Sequence, residues 1–314
     1  MRRQFVLASI VLTGALVTVG TIAAQQAQAP AGAQAPAGQG RGGRGPAPVP
    51  GPIEKVADNL YMIPGAGGNS GVYVAANGVV LVDTKNPDNG QLILDQIKTV
   101  TDKPVTHIIN THTHGDHNGS NIFFPATVEV VTQENTKANM QKMPAFQDAK
   151  NAHGLPDRTF GDRLTVLSGN DAIDLYYFGA AHTNGDTFVV FPAVRAMHTG
   201  DVYPRAHMPF IDMADNSGSA VEFNQTVQQA VSTIKNVDTV IGGHTPSPVT
   251  WNDFTSFAEF YSDFLSAAQS AMKKGTSVDE FVKAYRVPDR FKGFQADPQR
   301  VRANAQGIYD ESKR

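Results

Sequence analysis

A short polar run in the first half of the chain carries the donor groups that zinc prefers. His112, His114, Asp116 and His117 stand within six residues, and neutral imidazole and carboxylate are the usual zinc ligands in proteins. Histidine and aspartate are costly to bury without a partner, so packing alone does not explain this density. The run therefore indicates a metal centre.

Three later pieces of the sequence could complete such a centre. They carry His182, the pair His198 and Asp201, and His244. Each piece follows an apolar stretch and is rich in glycine, as expected where strand ends and tight turns bring side chains together. A single histidine after a strand is weak evidence for a ligand, but the four pieces together are strong evidence.

Composition narrows the kind of metal and of substrate. The chain has no cysteine, so nitrogen and oxygen atoms must hold any metal. All 29 acidic residues but only 22 of the 26 Lys and Arg lie after position 52, which makes that part acidic. Lysine and arginine form no cluster, which argues against nucleic acid as a partner and favours a small-molecule substrate.

The elements that must position these residues follow from hydrophobic periodicity. A helix is predicted over 88–100, another over 220–234, and a helical carboxy-terminal part follows from the spacing of Phe254, Phe257, Tyr261, Phe264, Leu265 and Ala268. The dipeptide at Asn77 and Gly78 predicts a hairpin. Strands are predicted over 59–63, 71–76, 79–83, 105–109, 127–132, 174–178, 187–191 and 239–241. This mixed order indicates an α/β fold with sheets covered by helices.

The amino-terminal segments have other roles. Residues 1–29 resemble a signal peptide, with Arg2 and Arg3 before an apolar stretch and small residues at Ala27 and Ala29. The two arginines suit either the general secretory route or the twin-arginine route, and an uncleaved anchor is a further alternative. Residues 30–52, with 6 Pro and 7 Gly, predict a disordered linker. We therefore expect a periplasmic or secreted domain over 53–314 with no stable membrane span after cleavage.

The four metal-ligand pieces, in this order and spacing, resemble the metallo-β-lactamase superfamily over residues 55–250. Asp83, at the end of an early strand, matches an aspartate of that family. The resemblance implies a four-layered αβ/βα sandwich. It also implies a set of metal ligands, in which His112, His114 and His182 bind one zinc ion and Asp116, His117 and His244 bind a second. Asp201 then takes the bridging position, while Asp83 and His198 orient ligands without binding metal themselves.

Asp201 bears on the activity that the resemblance implies. The motif spacing is like that of β-lactamases with cysteine at this position, whereas aspartate is found in glyoxalase II-like thioesterases, lactonases and other hydrolases. A site of oxygen and nitrogen donors accepts iron or manganese as well as zinc. In the cysteine subgroup a lysine follows by three residues and binds the substrate carboxylate. Here Pro204 stands at that place and Arg205 one residue later.

The function implied is an exported binuclear zinc hydrolase, in which a metal-bridging hydroxide attacks the carbonyl of a β-lactam or related cyclic amide or ester. Asp116 would orient the nucleophile and carry its proton. The alternatives are a thioesterase or lactonase, and a metal-binding periplasmic accessory protein without turnover. Residues 65–70 are expected to form a mobile flap, and His107 a packed residue within its strand. The candidate substrate contacts are Tyr203, Arg205, His207 and Asn216.

Overall fold

The computed structural model describes residues 49–313, which form thirteen strands and eight α-helices with short 3-10 turns between them. The strands are β1 (Glu54–Ala57), β2 (Leu60–Ile63), β3 (Ser70–Ala75), β4 (Gly78–Val82), β5 (Val105–Ile109), β6 (Glu129–Gln133), β7 (Arg158–Phe160), β8 (Arg163–Val166), β9 (Ile173–Tyr176), β10 (Phe188–Phe191), β11 (Ala196–His198), β12 (Thr239–Ile241) and β13 (Val249–Thr250). The helices are α1 (Gly90–Lys98), α2 (Gly115–Asn118), α3 (Glu134–Met140), α4 (Pro144–Gln147), α5 (Glu222–Thr233), α6 (Trp251–Lys273), α7 (Val278–Ala284) and α8 (Pro298–Glu311).

The strands form two mixed sheets. The first contains β1 to β7 in sequence order, antiparallel up to β4 and parallel from β4 to β7. The second contains β8 to β13, also in sequence order, and its one parallel pair is β11 with β12. In each sheet, neighbouring parallel strands therefore end at the same edge.

Alternation of side chains along the strands divides the core into three layers. In β4, Val79 and Leu81 pack with Ile93 of α1, whereas Val80 and Val82 face the second sheet. In β10, Val189 faces the first sheet and its neighbours face the other way, towards α5 and α6. Two sheets packed face to face, with helices on both outer faces, make the predicted four-layered αβ/βα sandwich, which is confirmed.

The predicted elements are found close to their expected bounds. The prediction for β5 is exact, the helix predicted over 88–100 is α1, and the six residues with helical spacing are all buried in α6. The hairpin after β3 turns one residue earlier than expected, at Ala76 and Asn77, because Gly78 already pairs with Ala75. The short strands β1, β7, β8, β11 and β13 were missed, since they carry too few apolar residues to show a period.

The predicted signal peptide and most of the predicted linker lie outside the described residues. Of the linker, residues 49–52 carry no helix or strand, and the amide of Gly51 donates to the carbonyl of Pro64 at 2.7 Å. Within residues 49–313, none of the helices combines the length and the apolar composition needed to cross a membrane.

Candidate metal centre

The predicted ligands lie where strands of both sheets end. The strand β4 leads to Asp83, and β5 leads to the loop of His112 and His114 and then to the single turn α2. In the second sheet, His182 lies between β9 and β10, Asp201 follows β11, and His244 follows β12. Because the sheets pack face to face, these ends bring residues far apart in sequence to one edge of the sandwich.

Three histidines present one nitrogen each to a common point. The Nδ1 atom of His114 lies 3.2 Å from Nε2 of His112 and 2.9 Å from Nε2 of His182. His112 and His182 are buried, and the side chain of His114 is 21% exposed. We call these residues the three-histidine group. Such close approach of three nitrogens is unfavourable unless a proton or a cation lies among them.

The far nitrogen of each imidazole in this group has its own acceptor. His112 Nδ1 lies 3.0 Å from Thr111 Oγ1, His114 Nε2 lies 2.8 Å from Asp212 Oδ2, and His182 Nδ1 lies 2.8 Å from the carbonyl oxygen of Phe210. If each far nitrogen donates its hydrogen there, the near nitrogen keeps a free lone pair. This arrangement of acceptors behind the ligands is typical of histidines that bind metals.

A second cluster, which we call the mixed group, contains Asp116, His117 and His244. Its donor atoms lie within 4.8 Å of one another. Asp116 Oδ2 is 3.5 Å from His244 Nε2 and 3.9 Å from His117 Nε2. His117 is fully buried, whereas the side chains of Asp116 and His244 are 30% and 24% exposed.

Asp201 lies between the two groups. One carboxylate oxygen, Oδ2, is 3.7 Å from His182 Nε2 and 3.2 Å from His244 Nε2, and the other, Oδ1, is 3.3 Å from His117 Nε2. His117 Nε2 and Asp201 Oδ1 are both buried, and within residues 49–313 neither has a partner in hydrogen-bonding geometry. Two buried polar atoms without partners, aimed at one space, fit a site that a cation would fill.

The electrostatics of the site suit metal binding, which requires neutral imidazoles and an ionised carboxylate. Burial, together with the neighbouring histidines, holds the pKa of His112 well below its usual range. Burial also lowers the pKa of His182, to about 4, although Asp201 acts in the opposite direction. Burial would raise the pKa of Asp201, but His117 and His244 outweigh it and hold this pKa well below its usual range.

His117 differs from the other histidines. Burial disfavours its charged form, but Asp201, Asp83 and Asp116 together outweigh burial and raise the pKa of His117 well above its usual value. A proton on this imidazole takes the place that a cation among the same carboxylates would take.

Asp83 connects the two groups. Its Oδ2 atom accepts from His117 Nδ1 at 2.6 Å and from Thr111 Oγ1 at 2.7 Å, and its Oδ1 accepts from the amide of Thr111 at 2.8 Å. Since Thr111 Oγ1 in turn faces His112, one carboxylate orients a ligand of each group. Asp83 has φ of +61° directly after β4, a backbone conformation that costs a residue other than glycine about 1–3 kcal/mol.

His198 belongs to neither group. It is buried, its Nε2 lies 3.1 Å from the carbonyl oxygen of Asn69, and its Nδ1 accepts from the amide of Gly200. Both ring nitrogens are thus used within the fold, close to the turn that carries Asp201. His107, in β5, is only half-buried, and it contacts Thr106 and Glu129.

The loop over residues 65–70, which was predicted to be a mobile flap, is hydrogen-bonded to segments of both sheets. The amide of Gly68 donates to the carbonyl of Asp116, and the amide of Asn69 donates to the carbonyl of Gly243. The buried Nζ of Lys85 donates to three carbonyl groups of this region, and burial lowers the pKa of Lys85 to about 7. The loop therefore joins ligand-bearing segments of both sheets.

The four candidate substrate contacts have different surroundings. Tyr203 is buried against Phe254 and Phe257, which places its ring in the helical core and away from the site. Asn216 donates to Asp212 Oδ2 at 2.6 Å, so it supports the acceptor of His114. Arg205 is exposed, and His207 is half-buried in a backbone bridge to Gln295.

The sequence analysis did not identify two residues that accept hydrogen bonds from the three-histidine group. Asp212 and Phe210 lie in the loop after Asp201, where they accept from His114 and His182. The amide of Asp212 also donates to the carbonyl of His182 at 2.8 Å. This loop has no periodicity, and a main-chain acceptor such as that of Phe210 leaves no mark in the sequence.

The chain is similar in sequence to known proteins of one superfamily. Residues 63–256 match the model of the metallo-beta-lactamase superfamily. The metallo-beta-lactamase type 2 of Elizabethkingia meningoseptica is 26% identical over 234 residues, which cover 70% of this chain and 87% of that protein.

Solved structures with the same fold include enzymes of two kinds. A stereoselective inverting sec-alkylsulfatase from Pseudomonas sp. is similar with a TM-score of 0.69 and 14% identity over 83% of this chain, and the chain spans half of that protein's length. A metallo-beta-lactamase from Pontibacter korlensis is similar with a TM-score of 0.55 and 21% identity, over 67% of this chain and 98% of that one. At these identities the likeness concerns the fold alone.

Proposed function

Since the chain belongs to the metallo-β-lactamase superfamily of metal-dependent hydrolases, we propose that it holds two divalent metal ions and hydrolyses a carbonyl compound. His112, His114 and His182 would hold one ion, and the mixed group the other, with Asp201 shared between them. Zinc suits these donors best, and iron or manganese also suits them.

The position of Asp201 carries this proposal. A carboxylate with one oxygen towards His182 and both oxygens towards the mixed group is placed to bridge two ions. The orphaned Nε2 of His117 supports the same interpretation, because Asp83 holds the other nitrogen of that ring. Three protein donors per ion, with one shared carboxylate, leave positions free for water and substrate.

Two bound ions would polarise the substrate carbonyl and lower the pKa of a water molecule, so that a nucleophile forms near neutral pH. The protein's own groups supply orientation and proton transfer. Asp116 is partly exposed at the mouth of the site and lies 3.5 Å from His244 Nε2, so its carboxylate can orient an attacking water and receive its proton. Asp83, Asp212 and the carbonyl of Phe210 hold the imidazoles so that little reorganisation accompanies the reaction.

For the substrate, we propose a cyclic amide or ester, with β-lactams first among the compounds to test. The similarity to the metallo-beta-lactamase type 2 of Elizabethkingia meningoseptica supports this choice. The signal-like residues 1–29 support export to the periplasm or beyond. A thioesterase or lactonase, and an accessory protein that binds metal without turnover, are the alternatives.

The test combines metal analysis with a substrate panel. The purified protein is analysed for bound metal and then offered a β-lactam, a lactone and a glutathione thioester, before and after removal of metal with a chelator. We expect two equivalents of metal per chain and turnover of the β-lactam that chelation abolishes and zinc restores. Turnover of another compound alone would reassign the substrate, and two metals with no turnover would favour the accessory role. A protein without metal would contradict the proposal.

A sulfate ester is the second candidate substrate. The likeness to the sec-alkylsulfatase extends over 83% of this chain, compared with 67% for the β-lactamase from Pontibacter korlensis. A secondary alkyl sulfate therefore belongs in the same panel. Its cleavage, with no turnover of the carbonyl compounds, would replace the first candidate.

A further inference from the structure

The carboxy-terminal helix α8 lies beyond the residues that match the family model, yet it supports the loop that holds the three-histidine group. Asn304 Nδ2 donates to the carbonyl of Pro209 at 3.1 Å, next to Phe210. Further along, the carboxylate of Glu311 accepts from the hydroxyl of Ser219 and from the amides of Ala220 and Val221. The middle and the end of α8 are therefore hydrogen-bonded to the segments on either side of Asp212.

One side chain of this helix reaches towards the site. The guanidinium carbon of Arg300 lies 4.4 Å from the centre of the Phe210 ring, and that ring centre lies 5.6 Å from the centre of the His182 imidazole. These two distances together place the guanidinium within about 10 Å of His182. Phe210 also stacks on His114, with 22° between the ring planes. Arg300 thus lies over an aromatic ring that also packs against two candidate metal ligands, His114 and His182.

The guanidinium of Arg300 is available to a ligand. The residue is exposed, and in the described part of the chain the ion pairs of arginine involve Arg163, Arg195, Arg290 and Arg302 but not Arg300. Partial burial lowers the pKa of Arg300, and the charges of Asp297 and Asp201 oppose that lowering. The charge of the central carboxylate therefore acts on this arginine, which remains a cation at any physiological pH.

We propose that Arg300 binds a carboxylate of the substrate at the mouth of the site and so selects anionic substrates. This inference rests on the proposed function. A guanidinium presents parallel N–H donors that match the two oxygens of a carboxylate. Its distance from the histidines suits a substrate whose carboxylate lies a few bonds from the carbonyl that reacts. Stacking on Phe210 fixes the guanidinium, so less side-chain entropy is lost when the ligand binds.

The kinetic test uses a matched pair of substrates. A chromogenic cephalosporin with a free carboxylate is compared with its methyl ester, in the wild type and in the Arg300→Gln variant. We expect Arg300→Gln to raise KM for the acid about 10- to 100-fold with little change in kcat, since a hydrogen bond between charged groups is lost. KM for the ester should stay within about twofold, and Arg300→Lys should recover part of the loss because it keeps the charge.

Arg302→Gln is the matched control. Arg302 lies two residues further along α8 and contacts Asp279 instead of the site, so we expect it to leave both substrates unchanged. If Arg300→Gln weakens the acid and the ester equally, the arginine only supports Phe210, and the proposal is overturned.

A binding measurement separates this inference from the proposed function. Phthalate and the neutral phthalamide are titrated calorimetrically into the metal-loaded wild type, Arg300→Gln and Arg302→Gln. We expect phthalate to bind the wild type and Arg302→Gln alike and Arg300→Gln at least about tenfold more weakly, with no such difference for phthalamide. This pattern without turnover of any carbonyl compound would remove the proposed function and keep the anion site. Equal phthalate affinity in the wild type and Arg300→Gln, or no phthalate binding by the wild type, overturns the inference.

Discussion

The three-histidine group and the mixed group each offer three donors, but the protein surrounds them differently. In the three-histidine group every far nitrogen has an acceptor, from Thr111, Asp212 or Phe210. Among the contacts within residues 49–313, His117 is the only member of the mixed group that is held in this way, by Asp83. The side chains of Asp116 and His244 are about a quarter to a third exposed.

The two groups should therefore bind their metal ions with different affinities. Ligands that are already oriented lose little entropy when a metal binds, whereas partly exposed side chains must be ordered at that moment. We therefore expect the three-histidine group to bind its metal more tightly, and the mixed group to fill second. Weaker metal binding at the mixed group would also leave the Asp116 side chain freer to move, as proton transfer requires.

The largest effect is expected when the three-histidine group loses a ligand. His114→Ala and His182→Ala should each reduce turnover at least about 1,000-fold, since a catalytic metal contributes several kcal/mol to the reaction. Metal content and kcat/KM would be measured on folded protein. His153→Ala is the control, because both nitrogens of that ring contact main-chain carbonyls far from the site. Full turnover by His182→Ala would remove the ligand assignment.

The two groups should differ in the metal that they keep when each loses one histidine. After dialysis against a metal-free buffer, His244→Ala should keep about one equivalent of metal per chain, whereas His182→Ala should keep almost none. Elemental analysis of the two variants, prepared side by side, measures this. The opposite pattern, with metal kept by His182→Ala and lost by His244→Ala, would show that the mixed group is the tighter site.

A substitution of Asp83 should lower the metal affinity of both groups at once. Asp83→Asn replaces a carboxylate oxygen that accepts from His117 and Thr111, and an amide cannot accept at both oxygen positions. We expect metal affinity at each group to fall about 10- to 100-fold, as for other acceptors behind metal ligands. Competition with a chelator measures both affinities. Asp95→Asn, on the exposed face of α1, is the control. A loss confined to the mixed group would show that Thr111 does not transmit the effect to His112.

The fold and the residues that cluster at the candidate site could be predicted from the sequence because both leave local patterns. The unbroken apolar run of β5 marked a buried strand, and helical spacing marked the buried face of α6. The density of histidine between 112 and 117 marked the metal centre, because such residues are rarely placed together without a ligand.

The acceptors behind the ligands could not be predicted, because they depend on contacts between distant segments. Asp212 reaches His114 across 98 residues, and nothing in its own sequence surroundings distinguishes it from an exposed aspartate. Tyr203 was expected to contact the substrate, but the turn after β11 directs it into the helical core. The loop over 65–70 was expected to move because of its glycines. Nothing in the sequence indicated that the buried Lys85 donates a hydrogen bond to this loop.

The glycine content of that loop has another physical reason, which gives the fourth prediction. A Cβ on Gly68 would overlap the imidazole of His117, so Gly68→Ala should displace this ligand and leave the three-histidine group intact. We expect affinity for the second metal to fall about tenfold, the lower end of effects from disturbed ligand orientation. Gly161→Ala is the matched control, because a Cβ there meets no atom within 4 Å. Equal loss at both groups would mean that the loop supports the whole centre rather than one half.

The smallest effect tests how far the support of the three-histidine group extends. Asn216 contacts no ligand, but it donates to the same Asp212 oxygen that accepts from His114. Asn216→Ala should weaken the first metal only about two- to fivefold, because Asp212 keeps its contacts with His114 and with the amide of Asp215. Chelator competition at the tighter site resolves such a change, and the affinity of the mixed group should not move. A loss as large as that of Asp83→Asn would mean that Asn216 fixes the Asp212 carboxylate almost alone. In that case the orientation of the imidazoles in the three-histidine group would depend on the loop after Asp201 more than on the strand ends.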